Sequence, residues 1–154
     1  MRFFMDKLNK QDYQSLSDFR YRLRIFQRHS ENICKAYGLT SLQYLLLLHL
    51  KGFSGREWAT ISELSEKLQA KHHGTVMLVD RCCELGLVER RESITDKRCI
   101  EIHLLPAGDE LAGRIAWLHR PELELLEQKF PLSSHADEHH PAEFSAPEKR
   151  KSGT

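Results

Sequence analysis

The chain lacks most of the features that mark an enzyme or an exported protein. It has no Gly-rich phosphate loop, no nucleophile elbow and no metal-ligand triad on one element. Its Asp and Glu residues fall at solvent-face spacings, so no catalytic reading is supported and no cofactor is implied. The four cysteines, at 34, 82, 83 and 99, never form a CxxC pair. Adjacent Cys82 and Cys83 suit neither a disulfide framework nor a tetrahedral metal site, and a reducing cytoplasm fits best. No apolar run approaches the ~18 residues that a membrane span needs. The longest, around Leu45 to Leu48, is broken by His49. The opening "MRFFMDKLNKQ" carries no cleavage pattern, so no signal peptide is expected. Excess charge is also missing: the net value is +1.

What is present is enough apolar material for one core, 40% of 154 residues. Residues 1–130 are expected to form a single domain. Residues 131–154, polar and broken by proline, are read as a disordered tail. His135, His139 and His140 lie in that tail, where no fixed metal geometry is expected. Charge is unevenly spread. Residues 1–55 carry nine Lys and Arg against four Asp and Glu, whereas residues 56–105 carry eight against nine. Any nucleic-acid contact in 56–105 must therefore come from placed side chains and not from bulk charge.

Residues 12–37 read as a long helix. Leu16, Phe19, Leu23, Phe26, Ser30, Ile33 and Tyr37 alternate spacings of three and four, a heptad-like stripe that serves either the chain's own core or a partner chain. Gly38 ends it. "LTSLQYLLLLHLKG" (39–52) is a second helix, capped by Thr40 or Ser41 and apolar nearly all round, hence central and buried. Residues 53–59 read as a loop containing Trp58. "TISE" is a capping box opening a short helix to about Leu68. After a break at Gln69-Ala70-Lys71 comes a helix over 72–86 closed by Gly86, then a strand over 87–91. In "SITDKRCIEIHLLPAG", Ile100, Ile102 and Leu104 alternate with Cys99, Glu101 and His103, which is strand periodicity. Residues 106–129 read as a helix that Pro121 must kink or divide and Pro131 stops.

Short helix, tight break, helix, strand, charged bend, strand is the order of a winged helix-turn-helix. The fold class expected is mainly α with a small β-hairpin, flanked by dimerisation helices at about 12–37 and 106–129. The DNA-binding lobe spans about 39–105. In such a unit the helix beginning near His72 enters the major groove and the hairpin bend reaches a minor groove.

At these residues the sequence resembles the MarR family of bacterial transcription regulators. "GLTSLQYLLLLHL", "ISELSEKL", "VDRCCELGLVERR" and "TDKRCIEIHLLPAGDEL" carry the resemblance, in order, over roughly residues 12–120. The family's D-x-R wing pattern stands as Asp96-Lys97-Arg98. Leu105 stands where the family usually has Thr, and "KHHGTVM" lacks the small polar and Arg residues common at that point. The family's last helix, which wraps the partner, has no counterpart after Phe130. The resemblance implies a homodimer on a two-fold symmetric DNA operator, acting as a repressor.

The DNA contacts expected are Lys71, His72, His73, Thr75, Met77, Arg81, Lys97 and Arg98. Thr75 and Met77 suit a thymine methyl, and His72 and His73 a base edge or a phosphate, unless they are simple helix filler. Asp96 is expected to brace Arg98 or Arg81 by a charge-assisted bond. Val79, Cys82 and Leu85 are expected to face inward, and Cys82, Cys83 and Cys99 to sit in or near the core. The resemblance also implies a small-molecule pocket between the dimerisation helices and the DNA-binding lobe, here drawing on Arg24, Arg28, His49, Trp58 and Trp117. Arg with Trp suits an anionic aromatic compound; ordinary packing and solvation is the competing account. Two other readings compete: a winged-helix module for protein contact, and a thiol-based redox sensor.

Overall fold

The structure, a computed structural model, describes residues 7–129. The expected stop at Pro131 and the expected tail lie outside these residues. The elements run α1 (Lys10–Ala36), α2 (Ser41–Gly52), β1 (Trp58–Thr60), α3 (Ile61–Leu68), α4 (His72–Glu84), β2 (Val88–Glu92), β3 (Ile100–Leu104) and α5 (Pro106–Lys129). No described helix is long and apolar enough to cross a membrane.

Local chemistry fixes most helix starts. Asn9 and Asp12 form a capping box on α1, so it begins two residues before the stripe suggested. Thr40 and Gln43 do the same for α2, which settles Thr40 as its cap. Thr60 and Glu63 cap α3. Each box satisfies amides that the first helical turn leaves unpaired. At the other end of α1, Gly38 takes φ +75° and the Leu39 amide returns to the Cys34 carbonyl at 3.0 Å.

α2 is the centre. Leu46, Leu47 and Leu50 are wholly buried, and Leu64 of α3, Val79 and Cys82 of α4, Ile102 of β3 and Ile115 of α5 close over them. α1 joins this core only near its end, where Cys34 is its one buried residue. Upstream, Leu16 is 55% and Ile25 50% exposed.

Three expectations are corrected. Residues 53–59 are not all loop: Trp58–Thr60 form an edge strand, so the hairpin becomes a three-stranded antiparallel sheet of order β1-β3-β2. Three residues are too few to show a period, which is why the pattern missed them. The apolar face of β3 is shorter than its alternation suggests, because Ile100 extends past the helices and is exposed while Ile102 is fully covered. Pro121 does not divide α5. The bond it forfeits is to the carbonyl of Trp117, a well-exposed residue whose carbonyl water can satisfy.

The start of α5 is held tightly. The Leu105 amide donates to the Leu87 carbonyl at 3.0 Å. A Cβ on Gly108 would lie 2.1 Å from that same oxygen. Lys51, at the end of α2, pairs with Asp109 and Glu57, and the Asp109 carboxylate holds its ammonium pKa above the usual value. Gly108→Ala should therefore lower stability by about 1–3 kcal/mol in denaturant unfolding, since backbone must move to admit one methyl. Gly113→Ala is the control: nothing lies within 4 Å of its added carbon. Equal stability of the Gly108 variant and the parent would show that α5 can leave Leu87 freely.

Candidate nucleic-acid interface

α3 and α4 meet at a tight turn. Gln69 takes the left-handed conformation at φ 49°, and the chain re-enters helix after Lys71. Two hydroxyls lock the pair: Ser65 Oγ lies 2.9 Å from Thr75 Oγ1, which donates to the Lys71 carbonyl at 3.1 Å. Thr75 is wholly buried. It therefore cannot touch a thymine methyl, as its place in the first turns of the helix suggested. Its work is to tie the helix to its support.

The other side of α4 is open. Lys71, His72, His73, Met77 and Arg81 are all exposed, Met77 at 54%. An apolar side chain standing free in the middle of a polar face has no packing role within the chain. Val79 and Cys82 face inward as expected, but Leu85 is 52% exposed. It stands at the helix's C-cap, where the chain turns toward Gly86.

Two exposed carboxylates, Asp80 and Glu84, stand on this side of α4, and a residue that sequence reasoning missed pairs with the first. Arg90 of β2 reaches Asp80 at 2.5 Å, and its other nitrogen lies 3.6 Å from Cys83 Sγ. The pair ties α4 to the base of the wing. Only the helix-to-strand spacing could have suggested it.

The wing, residues 93–99, is a backbone-braced bend. The Ser93 amide donates to the Cys99 carbonyl and the Cys99 amide to the Asp96 carbonyl, both at 3.0 Å. Asp96 does brace the tip, though through a different atom from the one expected. Its Oδ1 accepts from the backbone amide of Arg98 at 3.0 Å, not from the Arg98 or Arg81 guanidinium. The carboxylate shapes the turn and leaves the side chains of Lys97 and Arg98 exposed. Cys99 is exposed as well, not in the core.

Behind the sheet, the Arg56 guanidinium lies over Phe53 at 4.7 Å and Trp58 at 4.3 Å and pairs with Glu63. That pairing holds the Glu63 carboxyl below its usual range. Trp58 also stacks on His103, which bonds Glu101 at 2.7 Å.

The five residues expected to share a small-molecule pocket do not converge. Trp58 belongs to the Arg56 cluster. Arg24 and Arg28 line a shallow groove on α1 with Tyr21 and Glu31. His49 is half-buried, its imidazole pKa lowered by burial and by the Lys67 charge. Only Trp117 lines a substantial cavity, about 530 Å³, between α1, α2 and α5. Its other walls include Phe26, Ser30, Tyr44, His119 and Arg120. His119 Nδ1 lies 2.8 Å from the Ile115 carbonyl and so must donate, which leaves Nε2 to accept from the Ser30 hydroxyl at 2.7 Å. The ring stacks on Tyr44 at 5.2 Å, and burial pushes the Tyr44 phenol up to about 12. The polar Ser30 within the apolar stripe was the available signal for this site. Burial also pushes the Cys82 thiol up to about 11, which disfavours the thiolate that redox sensing requires.

Known proteins share both sequence and fold with this chain. The sequence model of the MarR family matches residues 37–98, from the end of α1 through the wing. An uncharacterised HTH-type transcriptional regulator of Bacillus subtilis, YsmB, is 33% identical over 96 residues, and the match spans 62% of this chain and 64% of that protein. The HTH-type transcriptional repressor MdtR of the same organism is 27% identical over 131 residues, 79% of this chain and 83% of MdtR. A MarR family protein of Bacillus stearothermophilus superposes with a TM-score of 0.64 at 26% identity, covering 80% of this chain and 85% of that one. In the sequence of residues 37–98 and in its fold, the chain is thus similar to the MarR family of transcription regulators.

Proposed function

We propose that the protein is a transcription regulator that binds double-stranded DNA as a homodimer and acts as a repressor. The observation that carries this reading is the open face of α4. Lys71, His72, His73, Met77 and Arg81 stand exposed on it, and the wing presents Lys97 and Arg98 alongside. α4 lies in the major groove, with Met77 against a thymine methyl and His72 and His73 on base edges or phosphates. Lys71, Arg81 and Lys97 hold phosphates, and Arg98 reaches a minor groove. The repressor role is carried over from the name of MdtR.

Dimerisation rests on apolar residues that stand exposed among the described residues. Leu16 and Ile25 of α1 and Trp117, Leu118 and Leu123 of α5 are all more than 40% exposed. Few soluble domains leave so long a helix bare. Selection of binding sites from random duplex DNA should yield a two-fold symmetric consensus with half-sites ~10 bp apart, and light scattering a dimer mass at micromolar concentration. A monomer mass, or a consensus without symmetry, would overturn the dimer.

Arg98→Ala should leave folding intact, because the wing tip buries little. It should weaken operator binding by roughly 1–3 kcal/mol, with a loss that varies with the flanking sequence. Unchanged affinity for every duplex would remove the wing from the interface.

The cavity beside Trp117 supports an effector of small aromatic carboxylate or phenol type. Its walls are largely apolar, while Arg120, whose guanidinium lies 5.0 Å from the Trp117 ring, supplies a polar end. Such a ligand would act by favouring a spacing of the two recognition helices that does not fit DNA. Coupling of ~1–3 kcal/mol is typical, and DNA must then weaken the ligand by the same factor. Calorimetry with salicylate or a simple phenol, with and without operator duplex, measures both sides. Equal ligand affinity in the two titrations would rule out release by this route.

A further inference from the structure

Glycines in this fold serve visible ends at some positions and none at others. Gly38, Gly55 and Gly86 take positive φ, and Gly108 makes room for the Leu87 carbonyl. Gly74 does neither. It lies inside α4 with no left-handed φ, it is exposed, and nothing lies within 4 Å of a carbon built on it. Glycine is a poor helix former, because the chain loses more freedom there than with any other residue. Folding alone would therefore favour alanine.

Its surroundings suggest what the missing side chain admits. Met77 lies three residues after it and Arg81 seven after, so these share one face of the helix, and Lys71, the extended residue that caps the helix start, lies three before it. The other three carry long exposed side chains. The result is a notch of bare backbone with one cation, Lys71, before it and another, Arg81, two turns after it. A glycine without a packing role commonly marks a close approach of backbone to a ligand.

We propose that Gly74 is the point of closest approach between α4 and the floor of the DNA groove, and that the missing side chain sets how deeply the helix enters. This rests on the DNA-binding reading above. A methyl at this position would hold the helix away, and the contacts of Met77 and the histidines would lengthen together. Phosphate contacts through Lys71 and Arg81 have longer reach and would survive.

The test uses the full chain with Gly74→Ala and Gly74→Leu, and a duplex selected with the parent protein. Both variants should fold, and Gly74→Ala should melt about 2–4 °C higher than the parent. Affinity for the selected duplex should fall about tenfold for alanine and further for leucine, a tenfold loss being about 1.4 kcal/mol. Binding to an unrelated duplex at low salt should stay within about twofold, because that mode rests on phosphates. Retained affinity for the selected duplex would overturn the proposal. So would a lower melting temperature, which would give the glycine a folding role, or an equal loss on both duplexes. If the parent selects no duplex at all, the DNA-binding reading fails and this proposal with it. A parent that selects DNA alongside variants that bind as well leaves that reading standing and sinks this one.

Discussion

The peptide of Leu87 is the joint on which the reading surface depends. Its side chain is buried, its amide donates to the Cys82 carbonyl at 3.0 Å, and its carbonyl accepts from Leu105 at 3.0 Å while lying against Gly108. The end of α4, the base of β2, the end of β3 and the first turn of α5 therefore meet around one residue. Backbone groups, which cannot change rotamer, set the angle between the helix that faces outward and the long helix that leaves the lobe. Gly86, at φ +70°, lets the chain turn into this joint. Movement of α5 must then carry α4 with it, or else break bonds in a buried place where a lost partner costs about 1–3 kcal/mol.

Charge follows from the same economy of placement. A chain of net charge +1 cannot rely on its overall field to hold a polyanion. The structure instead sorts its charges. Asp80 on the outer side of α4 is paired with Arg90, and Asp96 accepts from the backbone of the wing. Lys71, Arg81, Lys97 and Arg98 are left exposed.

Much of this was legible in the sequence, for identifiable reasons. The capping box at Thr60, the cap at Thr40 or Ser41, the leucine run of α2 and the order of elements name the fold, because each is a local rule that the tertiary structure does not override. What escaped depends on neighbours distant in sequence. Thr75 looked like a contact because it lies in the first turns of α4, but a hydroxyl from α3 ten residues earlier draws it inside. Ile100 looked buried because alternation says nothing of where the covering helices end. β1 is too short to have a period. Of the five residues expected to share a pocket, only Trp117 lines the cavity between α1, α2 and α5. His119 was invisible as a site because its significance comes from Ser30, 89 residues away.

The contrast between the two halves of the molecule suggests where control would act. The lobe from α2 to β3 closes on itself: Leu46, Leu47, Leu50 and Leu64 are covered, its turn is locked and its wing is braced. A ligand would gain little by deforming it, since packed interiors resist small strains. The outer part of α1 and the later turns of α5 are different. Among the described residues, Leu16 and Ile25 of α1 and Trp117, Leu118 and Leu123 of α5 are largely exposed, so a partner that packs on them would set their positions. The cavity lies between these two regimes, walled by α2 on one side and by α1 and α5 on the other. A molecule bound there would touch one rigid wall and two that can be displaced. Because Leu87 binds α5 to α4, displacement on that side becomes reorientation of the reading helix, with no change needed inside the lobe itself.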